Sequence, residues 1–383
     1  MQVLSAHPRL VRWAAPLGLV AVLAGGVGLA TRSDGAAPAL PARSAEQLLA
    51  AVGRANPPGL SGTVVETARL GLPALPTQAA GDTSVAGLAA GSHTARVWYA
   101  GRDRVRVAVS GSLAETDLIR DGSDLWVYQS ATNSAVHART QRGQASGGTA
   151  GLATGPTTPE AAAREVLDAV TPTTAVRVGR SATVAGRPAY ELVLDPKDAR
   201  SLVDSVTVAV DGATKVPLRV RVFAKGQQRP AFEVGFTEAQ FRTPDASVFR
   251  FSPPPGAKVT QAAAGAPTTE PKAKAGARDG GALPAAGGPA VIGHSWTSVL
   301  VVKGVDAGAA AGQRGPAKAL LDAAAPVQGA FGHGRLLRTP LFSALLTDDG
   351  RLYVGAVTPE ALTAAAAQPA SAAQPLPGRG VHP

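Results

Sequence analysis

The chain contains no cysteine. That single absence removes disulfides, thiolate nucleophiles, cysteine-ligated metals and a lipid-modified N-terminal cysteine. Aromatic residues make up only 4% of the 383 positions, and there is one methionine, so few large side chains are available to fill a core. Histidines stand at 7, 93, 137, 294, 333 and 382, and none has a second histidine at helical or strand spacing with a carboxylate. A metal site is therefore without support, and no cofactor is implied. The G-x-S-x-G elbow, the Walker loop and the dinucleotide fingerprint are all missing. Gly329 to Arg335 (GAFGHGR) is glycine-rich, but it does not lead from a strand into a helix and reads as a tight loop before a hairpin. Asp121 with Asp124, and Asp195 with Asp198, lie around turns, where aspartate is favoured for local backbone hydrogen bonding. No catalytic residue emerges.

What is present points to export. His7, Arg9 and Arg12 precede an uncharged, apolar stretch from Trp13 to Thr31. A basic lead followed by an apolar run is the layout of an export signal. Its length is long for a cleaved signal and near the lower limit of a membrane span, about 17–25 residues. Residues 1–31 are thus a signal peptide, with Gly28 and Ala30 offering a cleavage site, or a signal-anchor helix. The leading arginines keep that end cytoplasmic and send the bulk across. The expected location is the cell membrane, single-pass with the bulk extracytoplasmic, or a secreted or periplasmic state after cleavage. The formal charge is +10, mostly arginine. Such a balance fits anionic head groups or wall polymers, or a compositional bias. No basic run is interleaved with aromatics, so nucleic acid is not expected as a partner.

A spacer at 32–43 leads to Ser44, which opens a helix as N-cap, with Gln47 completing a capping box. Leu48, Ala51, Val52 and Ala55 make its apolar stripe, and Asn56-Pro57-Pro58-Gly59 stops it. Strands follow at Leu60–Leu70, Arg96–Ala100, Arg104–Val109, Asp117–Arg120 and Leu125–Gln129. Thr158-Pro159-Glu160 starts a second helix with Ala163, Val166, Leu167 and Val170 inward. Further strands run at Ala175–Val178, Ala182–Val184, Pro188–Leu194, Val206–Val210, Leu218–Val222 and Ala231–Phe241, and Phe249-Arg250-Phe251 closes the domain. Mostly local connections predict an antiparallel sheet, and about ten strands in one sheet must curl or close. The fold class is α+β: a strongly curved antiparallel sheet with helices covering the concave face, plus a small C-terminal α/β unit. The sheet domain spans 44–259, a disordered linker 260–290, the small unit 291–367 and a disordered tail 368–383. Gly/Ala-rich stretches at Pro76–Ser92 and Gly143–Thr157 are lids over a cavity or disordered insertions.

Several of these segments carry a resemblance. SAEQLLAAV at 44–52, LSGTVVETA at 60–68, RVWYAGRDRVRV at 96–107 and IRDGSDLWVY at 119–128 form the first half. AGRPAYELVL at 185–194, VAVDGATKVPLRVRV at 208–222 and FEVGFTEAQF at 232–241 form the second. Residues 44–259 together resemble the LolA-like superfamily of outer-membrane lipoprotein carriers, including its sigma-factor-regulator branch (RseB/MucB-like). The resemblance implies an open half-barrel with helices as a lid and an apolar groove for acyl chains of a lipid or lipoprotein. It offers Val64, Val97, Tyr99, Val107, Trp126, Tyr128, Leu192, Val208 and Val220 as groove candidates, alternate strand residues necessarily pointing opposite ways. The implied function is an extracytoplasmic carrier or chaperone. The alternative is a membrane-tethered envelope-stress sensor acting on an anti-sigma factor or other membrane protein, and the third reading is a hydrolase with a non-local site.

Overall fold

In the computed structural model of the protein, the residues described are 40–72, 91–101, 103–111, 114–139, 172–262, 290–305, 316–369 and 374–375. The export segment, the expected helix from Thr158, most of the two Gly/Ala-rich stretches, residues 263–289 of the linker and most of the tail lie outside them. Among the described residues no helix is long and apolar enough to cross a membrane.

The large sheet is built from two meanders. The first contains β1 (Leu60–Ala68), β2 (Gly91–Tyr99), β3 (Arg104–Ser110), β4 (Glu115–Asp121), β5 (Asp124–Gln129) and β6 (Ser134–Arg139). The second contains β7 (Thr174–Val178), β8 (Ala182–Val184), β9 (Arg187–Pro196), β10 (Val203–Asp211), β11 (Pro217–Ala224) and β12 (Phe232–Gln240). They are joined where β12 pairs antiparallel with β1. A last strand, β13 (Lys258–Ala262), lies parallel to β6. The path runs β13-β6-β5-β4-β3-β2-β1-β12-β11-β10-β9-β7, and its two ends do not pair with each other. The architecture is an open half-barrel of the α+β class.

Local chemistry accounts for the main features. Asp121-Gly122 turns the chain between β4 and β5 because Gly122 adopts φ +62°, which costs a residue with a Cβ. At Gly62 the reason is space: a Cβ there would lie 2.1 Å from the Glu238 carbonyl oxygen and 2.9 Å from the Phe236 ring. The register between β1 and β12 shifts beside it, at Thr63/Val64, as a bulge. Helix α1 (Ala45–Arg54) begins as the sequence requires: Ser44 Oγ accepts from Gln47 N–H at 3.2 Å, and Gln47 Oε1 accepts from Ser44 N–H at 3.1 Å. Its Leu48 is fully buried against Tyr190, Leu192 and Val210.

At the end of the sheet domain Asp245 caps a 3-10 turn at Ala246–Phe249 that buries the Phe249 ring, since Asp245 Oδ1 captures Ser247 N–H at 2.8 Å. Two expectations need correction. Ordered structure continues into the expected linker, because β13 finds backbone partners on the edge of β6. The sheet is consequently not purely antiparallel. In addition, Ser134–Arg139 is a strand that lay unread between turn-like residues.

The C-terminal unit is a second sheet containing β14 (Ala290–Ile292), β15 (Val299–Lys303), β16 (Ala325–Gly329), β17 (Gly332–Arg338), β18 (Ser343–Thr347) and β19 (Arg351–Gly355). Helices α2 (Pro316–Ala323) and α3 (Pro359–Ala366) accompany it, α3 capped by Thr358 with Pro359 in the first turn. Its core gathers Val299, Val301, Leu336, Leu345, Tyr353, Val357 and Leu362. β17 and β18 do not run on into one another, because Pro340 lacks an N–H and Thr339 Oγ1 closes a turn, accepting from Phe342 N–H at 3.0 Å. Trp296 lies in a 3-10 turn at Ser295–Thr297, just before β15. This unit docks on the large sheet through main-chain contacts: Leu202 N–H donates to Ala356 O at 2.9 Å, and Thr358 N–H to Arg200 O at 2.8 Å. Ser201 and Val357 form a β-bridge between them, and Trp296 Nε1–H donates to Thr174 Oγ1 at 2.7 Å.

Two substitutions check how α1 is held. Leu48→Ala should lower the unfolding free energy by roughly 2–5 kcal/mol. Ser44→Ala should lower it by about 1 kcal/mol. Urea denaturation measures both, and wild-type midpoints in the two variants would show that α1 is not anchored on β9 and β10.

Candidate ligand-binding face

Side-chain alternation gives the large sheet two chemically different faces. On one, Val64, Ala95, Val97, Val107, Val109, Val220 and Val234 form a buried cluster flanked by Val105, Leu118, Val206, Val208, Phe232 and Phe236. Every member of that cluster comes from a strand, none from a described helix. Next to it Leu192, Tyr190 and Val210 pack with Val176, Val178 and Val208 under α1. The structure brings Val64, Val97, Val107, Leu192, Val208 and Val220 together here, with Tyr99 half-buried on the same face, opposite Leu60 and Val105.

Trp126 and Tyr128 go to the other face. Leu118 pairs with Val127, so its neighbour Ile119 pairs with Trp126 on the opposite side of the sheet. There Trp126 stacks on His137 with centroids 4.1 Å apart, and both Trp126 and Tyr128 lie against Phe251, at 5.3 and 5.6 Å. His137 is held by Asp124 Oδ1 at 2.8 Å and Gln261 Oε1 at 3.1 Å. This second face is also charged: Arg106 makes a two-point contact with Asp117, at 3.2 and 2.8 Å, and Arg221 reaches Glu191 at 2.7 Å. Trp98 lies between the guanidiniums of Arg96 and Arg106, at 5.3 and 5.6 Å.

A buried carboxyl stands on the apolar face, and it was absent from the sequence candidates. Glu66 points the same way as Val64 on β1, pairs across the strands with His93 and Val234, and is 1% exposed. Neither of its carboxyl oxygens has a hydrogen-bond partner. Two other buried carboxylates show how this chain normally treats such a group. Asp117 has Arg106. Asp211, 0% exposed, accepts from Arg187 Nε and Nη2 at 2.6 and 3.0 Å, from Thr214 N–H at 2.7 Å and from Thr214 Oγ1 at 2.8 Å. Burial alone would raise the Asp211 carboxyl, but those bonds outweigh it and hold it below its ordinary value. For Glu66 only burial acts, and its pKa is pushed up from 4.5 to about 7.

The cross-strand register places Glu66 at one end of a single apolar row. From it the row runs through Val234 on β12, Val220 on β11, Val208 on β10, Leu192 on β9 and Val178 on β7. Four strand spacings separate Glu66 from Leu192, roughly 19 Å at about 4.8 Å per strand. Helix α1 covers the far end through Leu48 and its neighbours. The arrangement is an apolar track with one neutralisable polar group at its head. Among the described residues no group of three His, Asp or Glu is placed to hold a metal ion.

No family model matches the sequence, and no curated protein does. Among solved structures the chain is similar to the Pseudomonas aeruginosa MucA/MucB complex, at 15% identity and TM-score 0.43, covering 84% of this chain and 96% of that one. It is similar to an uncharacterized conserved protein from Thermus thermophilus, at 15% identity and TM-score 0.33, covering 57% and 99%. A LolA superfamily protein from Nitrosomonas europaea matches at 13% identity and TM-score 0.21, covering 55% and 99%. These likenesses carry no ligand or activity over to this chain.

Glu66 makes stability depend on pH. Because its folded pKa lies above the unfolded value of 4.5, the native state binds more protons between pH 4.5 and about 7. Stability should therefore fall as pH rises through that window, by an amount on the order of 3 kcal/mol. Glu66→Gln, neutral and of the same shape, should remove that fall. Urea titrations at pH 4.5, 6 and 8 decide it; parallel pH profiles for the two proteins would mean that the carboxyl is not desolvated.

Proposed function

We propose that the protein is an extracytoplasmic binder that holds acyl chains of a lipid or lipoprotein against the apolar face of its half-barrel. The observation that supports this reading most is the continuous row Val234–Val220–Val208–Leu192, crossing four strands with no charged side chain interrupting it. A sheet of this kind buries either its own side chains or a ligand, and an acyl chain gains about 0.8 kcal/mol per buried methylene. The shortage of aromatics favours the ligand, because valine and alanine fill little of the space under a curved sheet. The apolar run at Trp13–Thr31 behind its arginines supports delivery outside the cytoplasm, by a cleaved signal or a retained anchor. The resemblance to LolA-like carriers in the segments quoted above agrees with it. The role is binding, with no catalytic step.

A second reading has its own support. The C-terminal sheet is joined by main-chain hydrogen bonds to the β9–β10 connection, next to the strands that carry Leu192 and Val208. An additional unit attached at that point suits a tethered sensor that passes the state of the face to a membrane-protein partner.

Organic extraction of the purified mature protein followed by mass spectrometry tests the first reading. Acyl lipid should be recovered in near-stoichiometric amount, and Val208→Asp and Val220→Asp, which put a carboxylate into the row, should lose it. Lipid retained by both folded variants, or none in the wild type, would sink the proposal. A membrane protein co-purifying through residues 291–367 would favour the sensor.

A further inference from the structure

Glu66 carries more than a stability cost. A carboxyl placed in an apolar row, with both oxygens buried and unbonded, is a group whose partner has yet to arrive. The chain had ready means of satisfying it, since Asp117 and Asp211 each have an arginine. Among the described residues, the ionisable one facing Glu66 from an adjacent strand is His93 on β2; Val234, Phe232 and Phe236 on β12 and Val64 and Ala68 on β1 carry no charge. Leaving a buried polar group unmade costs about 1–3 kcal/mol, so a ligand that satisfies it is favoured by a comparable amount.

Resting on the acyl-chain reading above, we propose that Glu66 is the polar contact of the face, donating a hydrogen bond from its protonated carboxyl to the ester carbonyl of a bound acyl ester. The acyl chain then lies along Val234, Val220 and Val208 toward α1. A neutral carbonyl suits the surroundings better than an amine. Burying an ion pair among valines requires desolvating two charges, several kcal/mol each, whereas a neutral donor and acceptor lose far less. Burial keeps the proton on Glu66 up to about neutral pH, so the donor is present when it is needed. Recognition of the carbonyl therefore weakens as pH rises above that range.

Two uncharged fluorescent probes test this: the methyl ester of pyrene-decanoic acid, and dodecylpyrene, which has no carbonyl. The full-length protein should prefer the ester by about five- to tenfold at pH 5.5, the yield of one hydrogen bond. At pH 8.5 that preference should fall toward one. Glu66→Leu should bind both probes equally at either pH, while Glu66→Gln, whose amide N–H still donates, should keep the preference at both. His93→Asn should retain the wild-type pH dependence. Circular dichroism confirms that each variant is folded. An ester preference that survives in Glu66→Leu, or that is the same at both pH values in the wild type, overturns the assignment of Glu66 while leaving the acyl-chain reading standing. Failure of the wild type to bind either probe overturns both.

Discussion

The pairing of β1 with β12 is the constraint on which everything else in the large sheet depends. It joins residues 60–68 to residues 232–240, and without it the two meanders would be separate sheets, each with an open edge. Both sides of β1 are thereby committed, one to β2 and one to β12, so its side chains have only the two faces to go to. The bulge at Thr63/Val64 and the missing Cβ at Gly62 let the strands meet at close range with Phe236 tucked over the gap. Once β1 is fixed, Val64 and Glu66 must share a face with Val97, Val107, Val220 and Val234.

Polarity is distributed over the sheet with a consistent logic. The charged face is satisfied by two-point contacts, Arg106 to Asp117 and Arg187 to Asp211, geometry that compensates desolvated carboxylates. An aromatic group lies on the same side, where Trp126, Tyr128, His137 and Phe251 close over β5 and β6. The other face is mostly aliphatic, with Phe232 and Phe236 at its edge, and Glu66 is its fully buried acid. A satisfied acid fixes structure, whereas an unsatisfied one stores a preference for whatever completes it.

Much of this was legible in the sequence, for physical reasons. Capping by Ser44 and Gln47, the turn at Asp121-Gly122 and the alternation in Val206–Val210 and Leu218–Val222 are local signals, and the structure contains each of them. What stayed hidden was non-local. The resemblance offers Trp126 and Tyr128 as groove candidates, yet their side of the sheet is set by register with Ile119 and Asp117, which no short window reveals. β13 owes its place to the edge of β6, a partner far away in the sequence. Glu66 was concealed by its own strand: in LSGTVVETA the adjacent Val64 and Val65 leave the inward parity undecided, and only pairing with Val234 settles it.

The attachment of the C-terminal unit has a consequence for how the protein tolerates change. Leu202, Ala356, Arg200 and Thr358 meet through amides and carbonyls, and Ser201 bridges Val357 in the same way. Such bonds do not read side chains, so lineages can drift at the exposed positions of this seam without parting the two sheets. Proline is the exception, because at 202 or 358 it would delete a donor outright. Along this stretch the joint is thus written in the main chain, while the buried Ser201 and Val357 and the Trp296–Thr174 bond are the places where it does depend on side chains.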